Sequence, residues 1–366
     1  MRIMIITNHS YMLYQFRKEL IEKLLEEHEV IISTPFVGHE DDLKHMGCQM
    51  INTYVDRRGV NPLTDCQLLK SYRQLVKTYQ PDQVITYSIK PNIYGGIICH
   101  LMNIPYYANV QGLGTAFQKK GLAQFVTILY KYAFKKVNIV FFENKGNAQT
   151  FIDRKIVPEE KITVLNGAGV NLERYQYQTY PETDKEVHFL FVGRIMKEKG
   201  VDELFEAMTR LHETYRDQVI LDVVGFFEDE YKDTVEKLEA KGILKFHGFQ
   251  QDVRPYYKNA HCVVLPSYHE GMSNVLLEAA ASGRPLITTN IPGCREAVND
   301  GETGRLCHVQ DSQDLYQKMK QFLEMGIREK ESMGKKARQK MEKEFDKCQI
   351  VNQTIKAIGD HEEWMS

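Results

Sequence analysis

Short β-rich apolar runs separated by helical stretches recur along the 366-residue chain, stop at one polar segment, and then start again. RIMIIT (2–7), EVIIST (29–34), QMINTYV (49–55) and QVITYS (83–88) are strand-like, with helix-like stretches at 11–27 and 62–80 between them. The second helix opens with proline in its first turn, where a missing N–H costs nothing. Strands alternating with helices imply βαβ units and a parallel sheet. A polar, tyrosine-rich stretch at 171–187 breaks the pattern and reads as a linker. Beyond it come HFLFVGR (188–194), a helix from 200, VILDVVG (219–225), a helix from 228, LKFHGF (244–249), HCVVLPS (261–267) and PLITTN (285–290).

The chain is therefore expected to be α/β, with two doubly wound, Rossmann-like domains facing across a cleft. The expected domains are 1–178, 179–345 and a terminal helix at 346–366 that braces the first domain. The length suits two cores of ordinary size. Ligands of such sheets bind outside the carboxyl ends of the strands.

Composition narrows the function classes. Cys48, Cys66, Cys99, Cys262, Cys294, Cys307 and Cys348 form no C-x-x-C pair and leave one over. This speaks against a disulfide framework or a zinc site and for a reducing cytosol. The amino terminus reads as a first strand rather than a signal peptide. The longest uncharged stretch, Pro91 to Gln118, is broken by asparagines, glycines and a second proline, so no membrane span is expected.

A net charge of −2 hides an asymmetry: residues 1–180 hold 21 Lys/Arg against 16 Asp/Glu, and the remainder 26 against 33. Residues 83–142 contain no acid but carry Lys90, Lys119, Lys120, Lys131, Lys135 and Lys136. That surface is expected to meet something anionic.

Chemistry concentrates in two stretches of the second half. In FVGRIMKEKG (191–200), Gly193 ends a strand, and Arg194 and Lys199 are spaced to flank a diphosphate; ordinary loop charges are the alternative. In HEGMSNVLLEAAASG (269–283), Glu270 lies on a loop after a strand, and Ser273 is placed to cap a helix stopped by Gly283. The amides of Gly271, Met272, Ser273 and Asn274 would then favour an anion at the helix mouth. Glu278, one turn in, is placed to accept hydrogen bonds from a vicinal diol such as ribose offers. The alternative is a helix-dipole partner with a loop charge beside it.

The E-x₇-E pair, FVGRIMKEKG and GCREAVNDGETGRL (293–306) closely resemble family-4 retaining glycosyltransferases of GT-B architecture. TYSIKPNIYGG (86–96), NVQGLGTAF (109–117), VFFENKGNAQTF (140–151) and LNGAGVNLERY (165–175) resemble its bacterial capsule and exopolysaccharide branch, so the likeness covers most of the chain.

The resemblance implies a catalytic set of Arg194, Lys199 and Glu270. The two cations would neutralise the donor diphosphate, and Glu270 would bind hydroxyls of the donor sugar. Glu278 would hold the ribose, the amides from Gly271 to Asn274 would meet phosphate or sugar, and Phe249 with its neighbours would line the base. A UDP-sugar is the implied donor, with GDP left open. No D-x-D motif is present, so neither a cofactor nor a metal is expected. Where many relatives carry histidine before the glycine of QGLG, this chain has Gln111, which cannot shuttle a proton at neutral pH.

In the first half, Asn8, His9, Lys90, Gln111 and Gly112 are the acceptor-side candidates, although a lone histidine such as His9 is often structural. FQKKGLAQFVTILYKYAFKK (117–136) interleaves aromatics with lysines. It fits an anionic leaflet, with Lys119, Lys120, Lys131, Lys135 and Lys136 facing the membrane, or else a core helix with snorkelling lysines.

The reading that results is a transferase moving sugar from a UDP-sugar to a polyprenyl-diphosphate-linked saccharide, peripheral on the cytoplasmic membrane face. Nucleic acid is not an expected partner. A UDP-sugar epimerase of the same architecture and a non-catalytic partner subunit are the alternatives.

Overall fold

The computed structural model of the chain describes residues 1–56, 59, 61–114, 117, 120–182 and 185–359. It divides into two units, Met1–Ala168 with Cys348–Ser366, and Gly169–Lys347.

The first unit holds β1 (Arg2–Ile6), β2 (Glu29–Thr34), β3 (Gln49–Asn52), β4 (Gln83–Tyr87), β5 (Tyr106–Val110), β6 (Ile139–Phe142) and β7 (Ile162–Val164). Their parallel order is β3-β2-β1-β4-β5-β6-β7. Around them lie α1 (Ser10–Leu25), α2 (Glu40–His45), α3 (Pro62–Tyr79), α4 (Gly96–Met102), α5 (Lys120–Ala133) and α6 (Lys145–Asp153). Strands β4, β5 and β6 are buried end to end, as a parallel sheet covered on both faces requires. Helix α3 starts where its proline suggests: the Asn61 side chain caps it by accepting from the Leu63 N–H at 3.0 Å.

The second unit holds β8 (Val187–Val192), β9 (Val219–Val224), β10 (Leu244–Phe246), β11 (Cys262–Leu265), β12 (Leu286–Thr289) and β13 (Gly304–Cys307), in the order β10-β9-β8-β11-β12-β13. Its helices are α7 (Val201–Tyr215), α8 (Lys232–Ala240), α9 (Arg254–Asn259), α10 (Asn274–Ala281), α11 (Ser312–Leu323) and α12 (Ile327–Glu344). Both sheets are parallel and doubly wound, the Rossmann-like architecture expected. The helix expected from 228 begins four residues later, because the chain after β9 first forms a loop carrying Phe226 and Glu228.

The stretch 171–187, which reads as a linker, is built into the second unit. Tyr175 and Tyr180 are buried, and the fully buried Arg284 donates to the carbonyls of Gln178 and Thr179. The last helix, α13 (Lys347–Gly359), leaves the second unit and joins the first. There Ile350 and Ile358 share a core with Leu13, Leu20, Ile21 and Leu24, and Tyr107 Oη donates to the Ile358 carbonyl at 3.0 Å.

Candidate functional site

In the second sheet, the strand order reverses between β8 and β11, so the loops after these strands flank a switch point, where ligands of open α/β sheets bind. Gly193 and Arg194 follow β8, and Glu270 lies on the loop after β11. Two close approaches set these loops. A Cβ on Gly225 would lie 1.8 Å from the Gly193 carbonyl oxygen, and one on Gly200 (φ +71°) would lie 2.1 Å from that of Pro266.

The Lys199 side chain is thereby brought across the switch point, with Nζ donating to Glu270 Oε1 at 2.5 Å. Ser267 Oγ donates to the same oxygen at 2.8 Å. The pair is only 19% and 13% exposed. Arg194 is different: its side chain is 45% exposed, with Nη1 3.7 Å from Glu228 Oε1. One cation is thus held inside the site and the other stands at its rim.

Helix α10 begins at Asn274 with Ser273 at the N-cap position, but the Ser273 hydroxyl makes no cap hydrogen bond. The Ser273 backbone N–H donates to the Gly293 carbonyl at 2.9 Å, so this amide of the row expected from Gly271 to Asn274 is already occupied. Gly293 sits at φ +88°, where a Cβ would lie 2.5 Å from the Gly271 carbonyl oxygen and 2.7 Å from that of Glu270. The loop with Glu270, Gly271 and Met272 is clamped by this contact, and Met272 is buried behind it. Gly283 ends the helix at φ +78°, with its N–H donating to the Ala280 carbonyl.

Glu278 is partly buried and accepts a hydrogen bond from Tyr257 Oη at 3.1 Å and another from Tyr175. Burial pushes its carboxyl up to about 7, although both tyrosines and the charges of Lys347 and Arg174 pull the other way. Phe249 is 57% exposed and meets the exposed Phe226 edge to face, ring centres 6.2 Å apart. Sequence reasoning missed Tyr175, Tyr257, Phe226 and Glu228. Only the position of Phe226 and Glu228, just past the glycine that ends β9, could have flagged any of them.

The first unit gathers its candidates after β1, β4 and β5. Asn8 Oδ1 accepts from Ser88 Oγ at 2.8 Å, and His9, at the N-cap of α1, meets the Tyr11 ring edge to face at 6.1 Å. Gln111 Nε2 donates to Met12 Sδ at 3.5 Å, and Gly112 lies partly exposed in the same loop. Lys90 is paired: Nζ donates to Asp65 Oδ1 at 2.7 Å, and Tyr94 Oη donates to Oδ2 at 2.7 Å. A further buried pair that sequence reasoning missed joins Arg17 Nη2 to Glu143 Oε1 at 2.6 Å, just past β6.

Helix α5 is apolar on two sides. Ala123, Val126, Tyr130 and Ala133 face the core, while Phe125, Ile128 and Tyr132 are 55%, 65% and 46% exposed. Lys131, Lys135 and Lys136 are exposed beside them. Lys119 lies outside the described residues, and of Lys120 only the backbone, opening the helix, is described. Among the described residues, no group of three or more His, Cys, Asp or Glu is placed to hold a metal ion, and no helix is long and apolar enough to cross a membrane.

Residues 176–340 match the family described as Glycosyl transferases group 1, and residues 2–144 match that described as Glycosyl transferase 4-like. The chain is 27% identical over 343 residues to a Campylobacter jejuni protein, the N,N'-diacetylbacillosaminyl-diphospho-undecaprenol alpha-1,3-N-acetylgalactosaminyltransferase; the match covers 88% of this chain and 90% of that one. It is 25% identical over 334 residues to the capsular polysaccharide biosynthesis glycosyltransferase CapM of Staphylococcus aureus, covering 87% and 86%. In fold it is similar to Anabaena HepE in complex with UDP and glucose, with a TM-score of 0.80, 17% identity and coverage of 98% and 100%. A glycosyltransferase from Rickettsia africae matches with a TM-score of 0.78, 18% identity and coverage of 97% of each chain.

Proposed function

Because the chain belongs to the group 1 glycosyl transferases in its second half and to the 4-like glycosyl transferases in its first, we propose that it transfers a sugar from a UDP-sugar to a lipid-linked saccharide in surface polysaccharide assembly, with retention of anomeric configuration. The acceptor class is supported by the Campylobacter relative, whose name specifies a diphospho-undecaprenol-linked acceptor. The nucleotide is supported by the UDP in the HepE complex.

The observation that carries the donor half is the Lys199–Glu270 pair at the switch point, beside the mouth of α10. The diphosphate engages Lys199, the exposed Arg194 swings onto it from the rim, and Glu270 is released to the sugar hydroxyls. The ribose diol donates to Glu278, and the base lies near Phe226 and Phe249. Cations and a helix mouth stabilise the growing charge on the leaving diphosphate, so donor activation needs no divalent ion.

The bond from the anomeric carbon to the β-phosphate oxygen breaks as a bond to the acceptor hydroxyl oxygen forms on the same face. The acceptor proton passes to the leaving phosphate, and no enzymic nucleophile is required. The first unit takes the acceptor, and its basic, doubly apolar α5 lies on an anionic leaflet.

The test is a screen of UDP-sugars against short prenyl-diphosphate saccharides, with and without EDTA, read by mass spectrometry for sugar transfer and by NMR for the configuration at the sugar carbons. A retained-configuration product formed in EDTA is expected. Interconversion of a free UDP-sugar without acceptor would replace this reading with an epimerase.

A further inference from the structure

A groove of about 660 Å³ opens on the first unit between the chain leaving β3 and the outer face of α3, with Lys90 at one end. Its size falls within the usual range for small-molecule sites, and its lining runs from the last two residues of β3 into Thr53, Tyr54 and Asp56 beyond that strand's carboxyl end, with Lys90 past the carboxyl end of β4. We propose that this groove binds the saccharide of the acceptor rather than its diphosphate, an inference that rests on the proposed transferase reading.

Charge argues for this first. Among the described residues, the charged side chains lining the groove are Asp56, Asp65, Lys70 and Lys90, two of each sign. Lys90, the cation best placed for a phosphate, has Asp65 at 2.7 Å, and the pair is only 14% and 15% exposed. A dianion entering here would have to displace a carboxylate whose second oxygen Tyr94 also holds, whereas at Glu270 Lys199 and Ser267 share a single oxygen.

The same pair suits a sugar. Asp65 is held by Lys90 and Tyr94, one partner per oxygen, so the carboxylate is fixed while lone pairs remain for hydroxyl donors. The Lys90 ammonium keeps N–H groups for hydroxyl oxygens beside them. A fixed donor–acceptor couple matches groups that both give and take hydrogen bonds, as vicinal hydroxyls do.

The remaining walls agree. Gln67 and Gln74 place two amides on the outer face of α3. Tyr54 is 78% exposed, an unusual cost for an aromatic ring unless its apolar face is used. A pyranose carries a C–H face for such a ring and a rim of hydroxyls for the amides.

The test is ligand-observed saturation-transfer NMR on the full chain, with a panel of uncharged hexose and N-acetylhexosamine disaccharides as probes and inorganic pyrophosphate as competitor. Tyr54→Ala and the Gln67→Ala/Gln74→Ala double variant change exposed side chains, and their melting temperatures should match the wild type. The wild type is expected to show saturation transfer from at least one disaccharide, unaffected by pyrophosphate and weakened by about tenfold or more in affinity in both variants.

Absence of any saccharide signal, displacement by pyrophosphate, or equal signals in wild type and variants would overturn the groove assignment. Thermal stabilisation by UDP, measured on the same samples, separates the two readings. If UDP stabilises every protein while the variants bind saccharide normally, only the groove falls. If UDP stabilises none of them, the transferase reading falls first.

Discussion

Lys199 Nζ and Glu270 Oε1 lie 2.5 Å apart across the switch point of the second sheet, on loops 71 residues apart in the chain. On the proposed reading, Lys199 rests on an internal anion that the donor diphosphate would replace. Removing the cation deletes a charge-assisted contact where charge develops in the transition state. Lys199→Ala is expected to lower kcat/KM by at least about a hundredfold, roughly 3 kcal/mol. Glu270→Ala should be costly too, but the double variant should cost less than the sum, since each single change leaves a half-buried charge unpaired. Additive losses in a steady-state double-mutant cycle would show that the two side chains act separately.

The carboxyl of Glu278 is pushed up to about 7 mainly by burial, so if it holds the ribose as proposed, nucleoside binding is expected to be pH-dependent. The ionised form accepts two hydroxyl hydrogen bonds, and it grows from a minor to the major species as pH rises through 7. Uridine is the cleaner probe, because it lacks the phosphates of UDP that titrate nearby. Its affinity is expected to rise by up to about tenfold from roughly pH 6 to roughly pH 8, and Glu278→Gln should flatten the profile. Stability has the opposite sign. The folded carboxyl holds its proton above the ordinary 4.5, so its contribution to unliganded stability declines as pH rises from about 4.5 through about 7. Calorimetric titration and thermal melts across that window check both.

What the sequence disclosed follows from how local each feature is. Strands β1, β2 and β4 carry apolar runs that are buried from the second residue on, and such runs announce themselves. Strand β5 contains Tyr106, Tyr107 and Asn109, and β13 reads only Gly-Arg-Leu-Cys, so neither has a periodic signature; pairing with neighbours makes them strands. The site divides in the same way. Glycine, cation and carboxylate spacings named Arg194, Lys199, Glu270 and Glu278. The contact of Lys199 with Glu270, and the two tyrosines on Glu278, depend on strand order and on a segment that reads as a linker. Ser273 looks like a capping serine from its neighbours, yet a glycine twenty residues on takes its N–H.

That glycine supports a further expectation. At Gly293 the backbone is left-handed, and a Cβ would lie within 2.7 Å of the Gly271 and Glu270 carbonyl oxygens. Backbone cannot yield as a flexible side chain can. Gly293→Ala should therefore displace the loop carrying Glu270 and lower UDP affinity by at least about tenfold, since a small misplacement of binding groups is costly. The second unit's circular dichroism spectrum should be retained. Unchanged UDP affinity by calorimetry would show that this contact does not set the loop.

Arg284 is fully buried, and its guanidinium donates to the carbonyls of Tyr257, Lys258, Gln178, Thr179 and Gly283. Burial brings it down to about 10, which still leaves it charged at neutral pH. It ties the 171–187 stretch to the ends of α9 and α10. Arg284→Met keeps much of the volume but strands several buried acceptors, each worth about 1–3 kcal/mol when unpaired. A loss of at least about 3 kcal/mol is expected in the urea unfolding of the second unit. A loss below about 1 kcal/mol would mean that water replaces the guanidinium.

If the protein lies on a bilayer as proposed, helix α5 separates two forces that would hold it there. Phe125, Ile128 and Tyr132 leave about half their surface uncovered by the described residues, and Lys131, Lys135 and Lys136 stand beside them. Insertion of the apolar side chains would depend on buried area and be insensitive to salt. Attraction of the lysines to anionic lipid, about 1 kcal/mol each, would fade with ionic strength. Phe125→Ser/Ile128→Ser is therefore expected to weaken sedimentation with vesicles at both low and high salt. Lys131→Gln/Lys135→Gln/Lys136→Gln should weaken it chiefly at low salt and only on vesicles containing anionic lipid. Wild-type sedimentation by both variants would place the membrane contact elsewhere, whereas equal loss on neutral vesicles by the lysine variant would remove the electrostatic part alone.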